Sequence, residues 1–303
     1  MRYRCLVTCH LTCLLLCNLF LPATSASAQV DSTLIRVKAL GLETLVIDSP
    51  AGKLPVFYSA DKSARAQSVA ELMGKAAAYL QTSLGVQTDL TLALLSEEDW
   101  HGVWPFPYGL PYVSLQAPWV VVMPADPASS VLYPGFTSIL GEVDAATMID
   151  NIGFHEVGHV YISAYLYPET LEVPPLRWLD EFLAQYLAYA FMKEAAPDRA
   201  VIWDTFTEGM LQMPGQRYTS LDAFEAQYYG YLSSPEGSQN YGWYQSVFAD
   251  KAASLFEKYG VDFLTTLKQQ LDGSDLPSWN TDTAIEKLES IAPGFKVWQK
   301  NLK

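Results

Sequence analysis

The segment His155-Glu156-Val157-Gly158-His159 decides how the rest of this sequence is interpreted. It lies in an apolar-periodic stretch that predicts a helix over Asp144–Tyr165. Residues four apart share one face of a helix, so both imidazoles point to one place, where their neutral nitrogens can bind a zinc ion. The glutamate lies one step round the helix and can act as general base on a water bound there.

A catalytic zinc site needs a third protein ligand and one open position. Apart from the leader, the sequence has one other histidine, His101, which precedes the motif by 54 residues and lies in a loop-like region. An acidic ligand is the better candidate, because the prolines at 174 and 175 precede a helical run, Leu176–Ala195, that contains Glu181. Glu181 lies 22 residues after His159, a spacing that accommodates the end of one helix, a turn and the start of an antiparallel helix.

The motif followed by Trp178-Leu179-Asp180-Glu181 and Ala184 resembles the gluzincins, in particular the peptidase MA-like proteins. The resemblance covers residues 150–186. It implies a zincin-like fold and a metallopeptidase in which His155, His159 and Glu181 bind one Zn²⁺ per chain and Glu156 is the base. It also implies that the strand Trp119–Met123 lines the cleft at the edge of the sheet. The family usually has glycine after the ligand glutamate, where this chain has Phe182.

Two neighbours of Glu181 have alternative interpretations. Asp180 competes with it as third ligand, but adjacent helical residues point about 100° apart, so only one of them faces the metal. If Glu181 is the ligand, Asp180 is a helix cap or a surface charge. Gln185, one turn further on, is either an ordinary surface glutamine or a hydrogen-bond partner of a ligand.

Hydrolysis at a carbonyl group also needs a donor for the developing oxyanion. Residues 240–246 and the later Lys258-Tyr259-Gly260 are similar to a helix of peptidase MA-like proteins that begins with tyrosine and ends in Tyr-Gly. That similarity makes Tyr244 and Tyr241 catalytic candidates, and His101 is a third.

Other zinc peptidase classes fit less well. A metzincin would continue the motif with glycine and histidine at positions 162 and 165, which hold Ile162 and Tyr165. The Gly-Ala-Met-Glu-Asn box of the related aminopeptidases is absent, so the sequence gives no support for removal of single N-terminal residues.

The N-terminus predicts export. Arg2 and Arg4 precede an apolar run over residues 11–21, and Ala26-Ser27-Ala28 is typical of a signal-peptidase site. We therefore expect residues 1–28 to be a cleaved signal peptide and the mature protein to be secreted or periplasmic; an uncleaved anchor is the alternative. All four cysteines lie in this leader, so no disulfide is expected, and no later stretch reaches transmembrane length without charges.

The charge of the chain limits its partners. The chain has 19 basic and 33 acidic residues, and since the leader contains two basic and no acidic ones, the mature net charge is −16. Such a surface repels nucleic acid and anionic lipid. We expect a peptide or protein substrate and no nucleic acid; the oligomeric state stays open.

Patterning predicts an α+β fold with a mixed N-terminal sheet and a mainly helical C-terminal part. Residues 29–143 form the predicted α+β subdomain, and residues 144–303 the helical subdomain with the zinc site. Strands are predicted at Thr33–Ala39, Thr44–Ile47, Val56–Ser59, Asp89–Leu95 and Trp119–Met123. Further helices are predicted at Lys62–Leu84, Asp198–Met213, Tyr241–Tyr259, Val261–Leu271 and Asp282–Ile291, with Trp104–Pro118 irregular and Ser233–Asn240 a polar loop.

The sequence thus predicts an exported zinc metallopeptidase, a hydrolase that uses Glu156 as general base. Two alternatives stay open. One is a non-catalytic binding or assembly protein that retains the zinc site. The other is a zinc hydrolase of a non-peptide bond or of a cell-wall amide.

Overall fold

The computed structural model describes residues 33–114, 116–167, 174–215, 219–231, 235–271 and 278–302, with side chains at all of these except 228–231 and 235–236. The predicted signal peptide lies outside the described residues. Helices and one mixed sheet make up the described part, which confirms the α+β class.

The five strands of the described residues form one sheet with the order β1-β2-β3-β5-β4. They are β1 (Glu43–Ser49), β2 (Gly52–Tyr58), β3 (Leu90–Leu95), β4 (Tyr112–Val113) and β5 (Trp119–Pro124). Strands β2, β3 and β5 run parallel, while β1 and β4 are antiparallel to their neighbours. The short strand β4 is therefore one edge of the sheet.

Both faces of the central strands β3 and β5 are covered. In β5, Val121 and Met123 join the large hydrophobic core, while Val120 and Val122 join a second cluster on the opposite face. This double burial explains why β3 and β5 are continuous apolar runs rather than alternating ones.

The described residues also form a series of α-helices. They are α1 (Thr33–Ala39), α2 (Ser63–Leu84), α3 (Glu97–Val103), α4 (Tyr133–Leu140), α5 (Glu142–Leu166), α6 (Arg177–Ala195), α7 (Pro197–Leu211), α8 (Leu221–Tyr231), α9 (Pro235–Tyr259), α10 (Asp262–Gln270), α11 (Thr281–Ile291) and α12 (Phe295–Asn301). Every residue of α6 from 178 to 192 is buried, since α5, α7 and α9 pack around it. A helix that is apolar on all sides belongs in the centre of the molecule.

One predicted strand is wrong. Residues Thr33–Ala39 form helix α1, in which Thr33 and Val37 are buried and Ile35 is 64% exposed. Its β-branched residues suggested a strand, but burial four residues apart is helical periodicity.

The predicted edge strand is also wrong in its position. Trp119–Met123 does form a strand, but it lies between β3 and β4. The edge is Tyr112–Val113, within the segment predicted to be irregular. A strand of two residues is too short to show an alternating pattern.

The polar loop predicted at Ser233–Asn240 is a third error, because α9 already begins at Pro235, a residue that the first turn of a helix tolerates. Four helices, α3, α4, α8 and α12, were not predicted. The helices that were predicted are all confirmed, with ends shifted by a few residues. Gly260, which directly follows α9, has the positive φ of 53° that is typical of the residue after a helix end.

The predicted boundary between residues 143 and 144 falls in the first turn of α5. The large core contains buried residues from both sides of it, for example Leu54 and Tyr244. The division into two subdomains stays a prediction. None of the helices in the described part has the length and apolarity needed to cross a bilayer.

Candidate metal centre

Two packed helices carry the centre of the site. Tyr167 contacts Asp180 at one end of the pair and Phe154 contacts Phe191 at the other, so α5 and α6 are antiparallel. They approach closely at Gly158, where a Cβ atom would lie 2.7 Å from the carbonyl oxygen of Ala184. Glycine in the motif therefore brings the histidines of α5 within reach of the acidic residues of α6.

His155, His159 and Glu181 converge at this contact. The Nε2 atom of His155 lies 3.0 Å from Oε2 of Glu181 and 3.0 Å from Nε2 of His159, and the third side of the triangle, from His159 Nε2 to Glu181 Oε2, is 3.6 Å. His155 and Glu181 are only 5% and 3% exposed. This buried group could hold a metal ion.

The triangle has the size that a small cation requires. Ligand atoms about 2.0–2.1 Å from a tetrahedral ion lie about 3.3–3.4 Å from one another. Two imidazole nitrogens that face each other at 3.0 Å also need a proton or a cation between them, because their lone pairs would otherwise repel. The donor atoms of the described residues thus fit a metal without rearrangement.

Asp180 orients one of the histidines. Its Oδ2 atom lies 2.7 Å from Nδ1 of His159, and its Oδ1 accepts a hydrogen bond of 3.1 Å from the hydroxyl of Tyr167. The carboxylate is buried, so the prediction of a cap or surface charge is wrong. An Nδ1–H bound to a carboxylate directs the Nε2 lone pair of the same ring toward the triangle.

The two histidines differ in their electrostatics. Burial, together with the neighbouring His159, lowers the pKa of His155. Burial has the same tendency at His159, but Asp180 and Glu181 outweigh it and hold the pKa of His159 well above its usual value. Burial opposes ionisation of Glu181 too, yet hydrogen bonds from both histidines keep its pKa well below the usual range.

Glu156 follows His155 on α5, is 9% exposed and interacts electrostatically with His159 and Glu181. Burial is the main reason why its pKa rises to about 8. The charge of His159 and a hydrogen bond from the backbone of Val113 act in the opposite direction, while the Glu181 and Asp180 carboxylates add to the rise. A carboxyl group with a pKa near neutrality can both accept and return a proton.

Helix α9 brings one of the two candidate tyrosines to the cluster. The hydroxyl of Tyr241 donates to Oε1 of Glu181 at 3.3 Å. The hydroxyl of the fully buried Tyr244 donates instead to the backbone carbonyl of Ser220 at 2.7 Å, a contact typical of core packing. The structure therefore does not support Tyr244 as an oxyanion donor. His101 is exposed on α3.

Two glutamines adjoin Glu181. Nε2 of Gln245 donates to Oε2 of Glu181 at 2.8 Å, and Nε2 of Gln185 donates to Oε1 of Gln245 at 2.5 Å. Gln185 is buried, so it is not a surface residue. Gln245 was missed by sequence analysis. Its spacing of four from Tyr241 on one helix face is the signal that could have identified it.

The start of α6 is fixed from outside the cluster. The backbone N–H of Trp178 donates to Oε1 of Glu225 on α8 at 2.7 Å, which satisfies one of the free amides of the first turn. Phe182, which replaces the expected glycine, is fully buried against Phe263 and Phe295. Its ring belongs to the aromatic core around the C-terminal helices.

In comparisons with known proteins, no protein-family model matches the sequence, and no curated protein matches it significantly. The function of the site is therefore inferred from its geometry and chemistry.

Proposed function

We propose that the protein is an exported zinc-dependent metallopeptidase of the gluzincin type. The observation that carries the proposal is the buried triangle of His155 Nε2, His159 Nε2 and Glu181 Oε2, together with the buried Glu156, which interacts electrostatically with His159 and Glu181. Two imidazoles and one carboxylate form a ligand set of catalytic zinc sites, which keep a fourth position for water or substrate.

Zinc is the proposed metal because the three donors are borderline or hard, nearly tetrahedral in spacing and free of sulfur. A zinc ion in such a site polarises a substrate carbonyl and lowers the pKa of a bound water to about 7. In this proposal Asp180 orients His159.

Glu156 is the proposed general base. It is not one of the three clustered donors, and its carboxyl group interacts electrostatically with His159 and Glu181. In this proposal it takes a proton from water and delivers it to the leaving amine. A binding site that retained zinc for structure would have no use for an acid in this position. The presence of Glu156 therefore favours an enzyme over the non-catalytic alternative.

Tyr241 is the proposed donor to the oxyanion. Its hydroxyl lies 3.3 Å from Oε1 of Glu181, close to the place where a substrate carbonyl would meet the cluster. In this proposal the hydroxyl exchanges this acceptor for the oxyanion as negative charge develops there. Peptide as the substrate, and export, rest on the sequence resemblance and on the predicted signal peptide.

Metal analysis combined with peptide hydrolysis tests the proposal. The purified protein is expected to contain about one zinc per chain and to cleave internally quenched peptides. Glu156→Gln should retain the zinc and lose about 10²–10⁴-fold in kcat/KM, because only the proton transfer is removed. Tyr241→Phe should lower kcat with little change in zinc content.

Each outcome has a distinct meaning. Equal activity of Glu156→Gln and the wild type would refute the role of the base. Stoichiometric zinc in a protein that cleaves no peptide from a diverse library, but does cleave cell-wall amides or esters, would replace peptide with another bond. A protein without metal under conditions that load other zinc enzymes would end the proposal.

A further inference from the structure

The glutamines next to Glu181 form a continuous hydrogen-bond chain between two helices. Gln185 lies on α6 one turn after Glu181, and Gln245 lies opposite on α9. The chain runs from Gln185 Nε2 to Gln245 Oε1, at 2.5 Å, and from Gln245 Nε2 to Glu181 Oε2, at 2.8 Å. The chain thus begins at Gln185 on α6, passes through Gln245 on α9 and ends on α6 at Oε2 of Glu181, the oxygen that faces both imidazoles.

The direction of this chain follows from its last member. An ionised carboxylate only accepts hydrogen bonds, so Gln245 must turn its NH₂ group to Glu181 and its oxygen to Gln185. Gln185 must then donate as well, since a reversed amide would place two oxygens against each other. The carboxylate of Glu181 thus sets the orientation of both amides.

This orientation has a cost at Gln185. Its Oε1 atom is buried, and no described residue donates a hydrogen bond to it. A buried acceptor without a donor destabilises the folded state, whereas an apolar residue of similar size would fill the same space without that loss. A glutamine in this place is therefore better explained by its bond to Gln245 than by packing.

Helix α9 contacts both oxygens of Glu181. Tyr241 donates to Oε1 and Gln245, one turn later on the same face, donates to Oε2. Two donors on the two oxygens fix the rotation of the carboxylate about its last side-chain bond. Oε2 is thereby held at 3.0 and 3.6 Å from the two imidazole nitrogens.

We propose that Gln245, supported by Gln185, is a positioning residue that holds the Glu181 carboxylate in the orientation that binds the metal. The inference rests on the proposed metal site and deepens it. Neither glutamine touches substrate or metal. They act through Glu181, because a ligand that is already oriented loses less conformational freedom when it binds.

Zinc affinity, measured by competition between the protein and a chromogenic chelator, tests the role of Gln245. Gln245→Met, which keeps the size of the side chain and removes the donor, should weaken Zn²⁺ binding about 10–100-fold. Gln185→Met should weaken it less. The double variant should match Gln245→Met alone, because Gln185 acts only through Gln245.

The matched control is Ser246→Ala. Ser246 is buried beside Gln245 on α9, and its hydroxyl donates to the backbone carbonyl of Gly242. This variant should bind Zn²⁺ like the wild type. Urea unfolding of the metal-free proteins separates positioning from stability. Gln185→Met removes the unsatisfied Oε1 of Gln185 but leaves Oε1 of Gln245 without its donor, so its free energy of unfolding should change little although it binds zinc less tightly.

Three results would overturn the inference. Wild-type zinc affinity in Gln245→Met would show that the amide does not position Glu181, and additive losses in the double variant would show that the two glutamines act separately. If Gln245→Met does not fold, unchanged affinity in Gln245→Asn and Gln185→Met has the same force. A wild-type protein without measurable Zn²⁺ affinity would instead refute the proposed function, and the positioning role with it.

Discussion

Hydrogen bonds of single atoms orient the clustered side chains. Asp180 holds one nitrogen of His159 and so directs the other one, while Tyr241 and Gln245 each take one oxygen of Glu181. Nδ1 of His155 is buried without a hydrogen-bond partner among the described residues. His159 and Glu181 are therefore the donors whose orientation depends most on their neighbours.

The carboxylate of Asp180, which contacts Nδ1 of His159, is expected to affect the zinc affinity. Asp180→Asn should weaken Zn²⁺ binding about 10–100-fold, since the amide no longer enforces the protonated Nδ1 of His159. Isothermal titration or chelator competition measures the change. Asp198→Asn, on an exposed position of α7, is the control and should bind normally. Unchanged affinity in Asp180→Asn would show that Tyr167 and the helix suffice to orient the ring.

The second residue-scale prediction concerns pH in the metal-free protein. Glu156 has a pKa of about 8 when folded against a usual value of 4.5, so the folded state retains a proton that the unfolded chain releases. Its contribution to stability is lost as the pH rises through this window. Glu156→Gln, a neutral mimic of the protonated acid, should match the wild type near pH 4.5.

Above pH 8 the same variant should be more stable than the wild type, by an amount of order 5 kcal/mol, because one pKa unit corresponds to about 1.4 kcal/mol and the pKa rises from 4.5 to about 8. Urea unfolding in the presence of a chelator at pH 5 and pH 9 measures both values. Parallel pH profiles of the two proteins would mean that Glu156 is ionised in the folded state throughout.

At this scale the sequence predicted what short-range spacing can encode. His155, His159 and Glu181 lie within 26 positions of one another on two consecutive helices, so the sequence could indicate all three as one group. Gln245 lies 64 positions after Glu181, and only the packing of α9 on α6 brings it there. Asp180 was predicted to be a helix cap or a surface charge, because these are the usual roles of an aspartate near the start of a helix.

At the scale of elements, the site depends on how closely α5 approaches α6. Gly158 permits this contact, because any Cβ atom would press on the backbone of Ala184. Gly158→Ala should therefore destabilise the protein by about 1–3 kcal/mol, the usual cost of overpacking. It should also weaken Zn²⁺ binding, since His159 and Glu181 lie on the two helices that are forced apart.

Gly135→Ala is the control for this substitution. Gly135 lies on helix α4 with no atom within 4 Å of a Cβ, so alanine should be neutral or stabilise the helix by about 0.5–1 kcal/mol. Chemical denaturation of both variants gives the comparison. Equal stability of the two would show that α5 and α6 can move apart freely.

The longest helices of the described residues were all predicted, whereas the shorter elements were predicted only in part: β3 and β5 were, but β4, α1 and α8 were not. The helices α2, α5 and α6 each present several turns of apolar periodicity, which no loop reproduces. The two-residue strand β4 and the seven-residue helix α1 offer too few positions for a period to appear. Their structure is decided by neighbours: β5 pairs with β4, and α3 packs on α1.

The whole molecule surrounds the centre with one continuous core. The large hydrophobic cluster includes residues of the sheet, of α5 and α6, and of the C-terminal helices. The α+β class and the order of sheet before helices followed from patterning. The way in which α9 returns to α6 did not, because it depends on contacts between segments about 60 residues apart.

A prediction at this scale concerns metal removal. A ligand at 100 times its Kd stabilises a folded protein by about 2.7 kcal/mol. For a chain of this size we expect a chelator to lower Tm by about 5–10 °C. Calorimetry with and without chelator measures the shift, and Glu156→Gln should retain it. His155→Ala/His159→Ala should show no shift; an equal shift there would mean that metal binds elsewhere.

The proximity of the clustered residues along the chain has a consequence for the order of assembly. His155 and Glu181 are only 26 positions apart, whereas Tyr241 and Gln245 follow Glu181 by 60 and 64 positions. The entropy lost on closing a loop grows with its length, so bringing α6 onto α5 costs less than bringing α9 onto α6. A cation bound at this stage by His155, His159 and Glu181 would therefore hold α5 and α6 together before the C-terminal helices pack on them. In this order of events α9 packs last, and Tyr241 and Gln245 reach Glu181 after the three donors have already come together.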